Sequence, residues 1–269
     1  MNTHIQRWMT AAVAVPLLLL IIGFGSETVF ALFIIVVVLA AMVEYNSLVF
    51  EKGRRMERAV TLIASFFVLT AAFTGGPPFV LATLTFVIPG LFSLSLLRPE
   101  KVVSDLKTIK DIFFGLFFIS VMISHFILIR GDDRGVAWVF FIIVMAFSSD
   151  VAAYYIGRTL GRRKLVPSVS VGKTVEGAVG GMAGCIAGCT LYVFMFLPDV
   201  GPGHAVVMGF LGSVFGMIGD LSESIIKRAS RAKDSGSLLP GHGGVLDRLD
   251  SFIFMAPFVY YYKLFVAIP

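Results

Sequence analysis

Charge is what this 269-residue chain has least of: Asp, Glu, Lys and Arg make up 14% of it, against roughly 25% in an ordinary soluble domain. With 57% of its residues hydrophobic, 26 phenylalanines among them, that scarcity excludes a water-soluble globular protein and points to an integral membrane protein. Cysteine is nearly missing too. The two that occur, Cys185 and Cys189, stand four residues apart amid Gly and Ala with no His or further Cys beside them. That excludes a disulfide framework and argues for small packing residues over a metal pair. No internal repeat is present, which removes the main sequence sign of a transporter. A phosphate loop of the Walker type is also absent. "VGKT" at 171–174 has its last three residues, but the spacing G-x-x-x-x-G-K-[ST] needs glycine at 167, where Pro167 stands. Lys173 and Thr174 stay candidates for point contacts with a phosphate.

What the chain does have is apolar runs, at about 8–25, 28–43, 59–75, 78–97, 112–129, 136–157, 175–197, 205–226 and 251–268. Most reach the roughly 17–25 residues that cross about 30 Å of hydrocarbon, and lipid leaves a spanning backbone little choice but helix. The predicted fold is therefore an all-α polytopic membrane protein of about nine transmembrane helices. The first pair, divided only by "GSET", and the third and fourth, divided by "GGPP", read either as re-entrant hairpins or as crossings joined by a tight turn. The first run is longer than the apolar core of a secretory signal, so a retained helix is expected.

The cations orient these helices. If loops alternate, one side receives Arg7, the loops at 52–58, 98–110 and 158–173, and Lys227, Arg228, Arg231, Lys233 and Arg248, nineteen of the twenty-two Lys and Arg. The other side has Arg130 and Arg134, balanced by Asp132 and Asp133, and Lys263 inside the last helix is expected to snorkel outward. The positive-inside rule then puts the N-terminus in the cytoplasm and the C-terminus outside. Losing one helix would scatter the basic loops over both faces. For the loops at 52–58 and 98–110, orientation and contact with anionic lipid account for the charge.

Acids are the informative residues. Asp150 lies in "FSSDVAAYYIGR", Glu176 in "GKTVEGAVGG", Asp220 and Glu223 in "FGMIGDLSESIIKR", and Asp247 and Asp250 in "GGVLDRLDS". An ionisable group at membrane depth costs several kcal/mol unless it meets a cation, a metal or water, so each is a functional candidate. The derived topology places all of them toward the cytoplasmic ends of helices six to nine, where they can line one cavity. Asp220, Ser224 and Lys227 fall at i, i+4 and i+7 on one helical stripe, with Arg228 and Arg231 extending its basic edge, and Asp247 and Asp250 at i and i+3 share a face at the start of the ninth helix. Carboxylates flanked by Lys and Arg suit Mg²⁺ holding a polyphosphate; salt bridging between helices is the alternative. The run "PGHGG" favours the first. It cannot continue a helix, and Gly241, Gly243 and Gly244 let backbone N–H groups approach an anion closely.

The stretch "SIIKRASRAKDSGSLLPGHGGVLDRLD", Ser224 to Asp250, resembles the signature of the CDP-diacylglycerol synthases, the phosphatidate cytidylyltransferases. "DVAAYYIGRTLGRR" and "SVSVGKTVEGAVGG" are similar to that family's D-x-x-A-Y-x-x-G and S-P-x-K-T-x-E-G segments, with Val171 where the family has proline. The resemblance is dense from about Asp150 to Asp250 and rests on helix pattern before that. It implies an enzyme that uses CTP and Mg²⁺, with a second cation, monovalent or divalent, left open, to convert phosphatidic acid into CDP-diacylglycerol and pyrophosphate. It also implies a homodimer in the bilayer, with no nucleic-acid partner, placed in a bacterial inner membrane with its site facing the cytoplasm.

Carried onto this chain, the resemblance makes Asp220, Asp247 and Asp250 the metal ligands and catalytic acids, with Lys233 holding phosphate and Asp234 orienting it. Lys227, Arg228 and Arg248 would bind the triphosphate or the lipid phosphate; Ser224, His242, Gly243 and Gly244 would line a phosphate cradle; Asp150, Lys173, Thr174 and Glu176 would close the opposite wall. Residues 1–130, about five helices, are expected to form a scaffold with dimer contacts, and 131–269 the catalytic region. A CTP-dependent transferase or kinase acting on another lipid shares this cavity logic, and a transporter remains the rival outside enzymology.

Overall fold

A computed structural model describes residues 3–51, 53–96, 102–238 and 243–266; for 3–11, 13 and 102–105 it describes the backbone alone. The chain divides into two compact units, one of Met1–Leu128 with Asp234–Asp247, the other of Ile129–Lys233 with Arg248–Pro269.

The first unit holds α1 (Thr3–Phe24), α2 (Glu27–Val49), α3 (Arg55–Leu96), α4 (Val102–Gly115), a π-helical turn (Leu116–Val121) and α5 (Met122–Arg130); α5 ends two residues past the division. Ser26 caps α2 by accepting from the Val29 N–H. At 42 residues α3 would be about 63 Å long if straight, but Gly76 adopts φ 68° and interrupts it. Its two arms fold back on each other. Met56 and Val60 near its start line a small cavity with Leu91 and Leu94 near its end, and Val68 and Ala72 pack with Val80 and Leu84. The Gly-Pro stretch is thus a tight turn between antiparallel arms, and each apolar run of this half is helical. Inside the unit, Ser65 and Ser120 share a buried hydrogen bond of 2.9 Å, and the Tyr45 hydroxyl donates to the Asp111 carbonyl.

The second unit holds α6 (Gly135–Leu160), a hairpin of β1 (Lys164–Val166) and β2 (Ser170–Thr174), α7 (Val175–Phe196), α8 (Pro202–Ala229) and α9 (Phe252–Val266). Helices α6 and α7 approach closely because small residues line both: a Cβ added at Gly181 would lie 3.0 Å from that of Ala153 and 3.1 Å from the Ser149 carbonyl oxygen. Cys185 and Cys189 are free thiols buried in this seam, Cys185 Sγ lying 3.4 Å from the Met145 carbonyl oxygen, as small packing residues should be.

Among the described residues six helices are long and apolar enough to cross a bilayer, the folded-back α3 counting as one, and two further apolar segments, Ala14–Phe24 and Phe252–Val266, are shorter. The protein is an α-helical integral membrane protein. The fold class is all-α as expected, with one short antiparallel hairpin β1–β2 between helices: Val166 and Val169 bracket a tight turn closed by the Val169 N–H donating to the Val166 carbonyl. Two expectations need correction. Lys263 does not snorkel outward. It is buried, donates to Asp132 Oδ2 at 2.5 Å and stacks its ammonium over the Trp138 ring at 4.5 Å, because Asp132 offers a carboxylate within reach. Arg134 pairs instead with Asp199. Finally, α9 begins at Phe252, so Asp247 lies in a 3₁₀ turn (Leu246–Arg248) and Asp250 in the turn that follows; they do not share a face of that helix.

Candidate active-site clusters

The second unit gathers a group of charges around α8. Asp220 makes an ion pair with Lys173, which extends from strand β2 just before α7. A Cβ at Gly219 would collide with the Asp250 carbonyl oxygen, so the missing side chain lets the turn before α9 lie directly against the helix beside Asp220. Burial, then the Asp220 carboxylate, then that of Asp150, push the Asp250 carboxyl up to about 7, with the Ser251 N–H, a hydrogen-bond donor to Oδ1 at 2.7 Å, acting the other way. One helical turn on, Glu223 is fully buried and pairs with Lys227 at 2.5 Å. The base in the Asp220–Ser224–Lys227 stripe therefore serves the acid four residues before it, at i,i+4, rather than Asp220.

The hairpin is built from site residues as well. Thr174 caps α7, its hydroxyl oxygen accepting from the Gly177 N–H at 3.1 Å. The Glu176 carboxylate accepts the Arg162 N–H at 2.9 Å and the Arg163 N–H at 3.2 Å, tying the end of α6 to the start of α7. Lys164 Nζ donates to the Val171 carbonyl at 2.8 Å. Arg228 reaches the hairpin turn, its Nε donating to the Val169 carbonyl at 3.4 Å, and its Nη1 donates to the Ala232 carbonyl.

In the first unit the glycine-bearing loop folds around two carboxylates. Asp247 Oδ2 accepts the Gly244 N–H at 2.9 Å and the Ser235 N–H at 3.2 Å. Gly243 stands at φ 84°, a conformation that favours glycine, and a Cβ there would lie 3.3 Å from Asp247 Oδ2. Beneath the loop is Glu44 of α2, 3% exposed, whose Oε2 accepts from the Leu246 N–H at 2.9 Å and from the Ser235 hydroxyl at 3.2 Å. A Cβ at Gly244 would come within 2.6 Å of Glu44 Oε2, so this glycine makes room for a buried acid.

Glu44 was not among the residues singled out from the sequence. It closes an apolar run that carries no other charge after Glu27, and the rule that exposed Asp150 and Asp220 applies to it equally. Of the other expected residues, Ser224 is buried, Asp150, Lys233, Asp234 and Arg248 are exposed, and Gly241 and His242 lie outside the described residues.

Among the described residues no three His, Cys, Asp or Glu side chains form a ready metal cage. Magnesium seldom uses one: it keeps waters and takes one or two carboxylates together with substrate phosphates. Asp250, whose carboxyl burial first and the Asp220 carboxylate second push up to about 7, forms with Asp220 a donor pair whose repulsion a divalent cation would relieve. The residues present fit such an ion.

Comparison with known proteins bears on this chemistry. A family model described as the cytidylyltransferase family matches residues 5–266. The chain is 41% identical over 155 residues to a phosphatidate cytidylyltransferase of Bacillus subtilis and 42% identical over 156 residues to one of Brucella suis. Those alignments cover 57% and 58% of this chain, and the chain spans little more than half of each relative, 56% and 57%. A phosphatidate cytidylyltransferase of Synechocystis is 28% identical over 284 residues, 96% of this chain and 95% of the relative.

Proposed function

Because the chain belongs to the cytidylyltransferase family, we propose that it transfers the cytidylyl group of CTP to phosphatidic acid, giving CDP-diacylglycerol and pyrophosphate. The observation that carries this reading is the Lys173–Asp220 ion pair set beside the partly buried Asp250. An apolar helix has no structural need for such a cluster, and a polyphosphate with its counter-ion does.

In the reaction a non-bridging oxygen of the phosphatidate phosphate attacks the α-phosphorus of CTP. The bond from that phosphorus to the oxygen it shares with the β-phosphorus breaks, and pyrophosphate leaves with the electron pair. The attacking oxygen is anionic near neutral pH, so no side chain has to remove a proton and catalysis rests on positioning and charge neutralisation. Asp220 and Asp250 would hold Mg²⁺ in the second unit, and Asp247, oriented by two loop amides, would offer a carboxylate to a cation in the first. When bound, that ion supplies charge neutralisation at the phosphates. Lys173, Arg228, Lys233 and Arg248 bind phosphate oxygens, with Asp234 orienting Lys233. Gly243 and Gly244 would offer backbone N–H groups to a phosphate, with Ser224 and His242 as further candidates for phosphate contact, while Thr174 and Glu176 shape the wall near Asp150 by fixing the hairpin–α7 joint. Lys227 is partly committed to Glu223 and contributes less.

The distribution of basic loops supports nine crossings, with the two arms of α3 counted separately, a cytoplasmic N-terminus and a cytoplasm-facing site; the bacterial relatives support placing it in a bacterial inner membrane. The homodimer is part of the same reading. The test is conversion of radiolabelled CTP into a lipid-soluble product by purified protein supplied with phosphatidic acid and Mg²⁺. A labelled product that co-migrates with CDP-diacylglycerol and needs both additions is expected; no product, or one formed only with a different lipid acceptor, overturns the assignment.

A further inference from the structure

Glu44 stands 191 residues before Ser235 in sequence, yet its carboxylate is the floor of the loop that presents Asp247. The arrangement is one-sided. Oε2 accepts both the Leu246 N–H and the Ser235 hydroxyl, whereas Oε1 is buried with no hydrogen-bond partner among the described residues and faces the backbone of Gly236, where an added Cβ would come 2.6 Å from the carboxyl carbon. Leu246 immediately precedes Asp247, and Ser235 is the residue whose N–H Asp247 accepts. Each Glu44 bond therefore ends on a residue that either precedes Asp247 in the chain or donates to its carboxylate. Ser235 and Leu246 are thus both held at one point on a membrane helix.

We propose that Glu44 is a positioning residue for cytidylyl transfer: through Leu246 and Ser235 it fixes the loop so that the Asp247 carboxylate is held in its working orientation. This rests on the function proposed above. It distinguishes Glu44 from the other buried acids, because it needs one correctly placed acceptor oxygen and does not need a negative charge. Glutamine supplies that oxygen at the same reach, with its amide nitrogen taking the place of the unpartnered Oε1. Aspartate keeps the charge but is shorter by one methylene and cannot reach both donors.

The substitutions Glu44→Gln, Glu44→Asp and Glu44→Ala, with Ser235→Ala, test this in the full-length protein in detergent–lipid micelles. Two readouts are kcat and KM for CTP, and the rate of tryptic cleavage after Lys233 and Arg248, which flank the loop. Glu44→Ala and Glu44→Asp are expected to lower kcat by roughly 100-fold, the scale set by misplacing a reacting group by about 1 Å, with KM for CTP little changed and cleavage at the two flanking sites faster. Glu44→Gln is expected to stay within about 5-fold of wild type, its bonds being weaker without charge assistance. Ser235→Ala, losing one of the two bonds, is expected to fall between, at about 10-fold.

Glu44→Gln as inactive as Glu44→Ala, with native cleavage rates, would mean that the charge itself does chemistry and overturns the proposal. So would native kcat and native cleavage in Glu44→Ala. If Glu44→Ala does not accumulate, the order of Glu44→Gln over Glu44→Asp and the effect of Ser235→Ala decide, and loss of all four proteins marks Glu44 as a folding residue and likewise overturns it. A wild-type protein that makes no labelled lipid would refute the function instead, and the cleavage rates would still judge the hold of Glu44 on the loop.

Discussion

In the first unit Glu44 and Asp247 direct their oxygens at backbone amides and one hydroxyl, whereas in the second Asp220 and Glu223 each meet a lysine. The two kinds of partner do different things to a carboxylate. Amide donors orient it without neutralising it, so that a cation can still be drawn to it; a lysine neutralises it and must move or be shared before a metal takes its place. Asp247 is thus an acid oriented by its loop, Asp220 one whose charge is exchangeable with Lys173, and Glu223, fully buried with Lys227, the one set up for stability.

The largest effect is expected where an oriented acid loses its charge. Asp247→Asn can keep an acceptor oxygen for both the Gly244 and the Ser235 N–H, which share Oδ2, and removes the charge that the proposed Mg²⁺ would require. Turnover should fall by roughly 100- to 1,000-fold, while the helices stay folded. A Mg²⁺ titration separates the two roles of this side chain: loss of a ligand raises the Mg²⁺ concentration needed for the residual activity, and loss of a loop tie does not. An Asp247→Asn protein that is fully active at ordinary Mg²⁺ would erase the distinction between the units.

Next comes the buried pair. Lys227→Met removes the cation beside a carboxylate with no solvent exposure, and breaking such a pair costs about 3–5 kcal/mol of stability. The thermal midpoint should drop clearly, and the double substitution Glu223→Gln with Lys227→Met should recover much of the loss. If instead Lys227→Met melts like wild type and loses only activity, Lys227 serves substrate and Glu223 is not its main obligation.

The positions of these acids are legible in the sequence, because an ionisable residue in an apolar run announces itself; what each one holds is not. Asp220 shares an apolar helix with Ser224 and Lys227, and the stripe suggests a joint role, yet Lys227 turns to Glu223 one helical turn back and Asp220 to a lysine 47 positions earlier. Glu44 obeys the same rule and is easily passed over, since its partners lie 191 and 202 residues away and nothing local hints at them. The fold shows the same limits. Apolar runs mark the helices, and "GGPP" marks a turn, but the hairpin of three and five residues is too short for alternation to stand out. The start of α9 falls past Asp250, which lies in the turn between the 3₁₀ segment and that helix.

The smallest effect is expected at Lys173, and it tests whether an acid held by a lysine is only neutralised or also shaped by it. Lys173 pairs with Asp220 from a strand, with a quarter of its side chain still exposed. No phosphate loop surrounds it, since Pro167 occupies the position where that motif has glycine. A point contact of this kind asks for charge at the right reach, and arginine keeps the charge and can pair with a carboxylate through two parallel bonds. Lys173→Arg should therefore keep activity within about tenfold of wild type, with unchanged Mg²⁺ dependence, whereas Lys173→Met, which leaves Asp220 without its cation, should lose considerably more. Steady-state rates of the two variants side by side settle the matter. If Lys173→Arg is folded and as inactive as Lys173→Met, the site requires a compact ammonium at that position, and the lysine-held acids of the second unit would prove as geometrically exacting as the amide-held acids of the first.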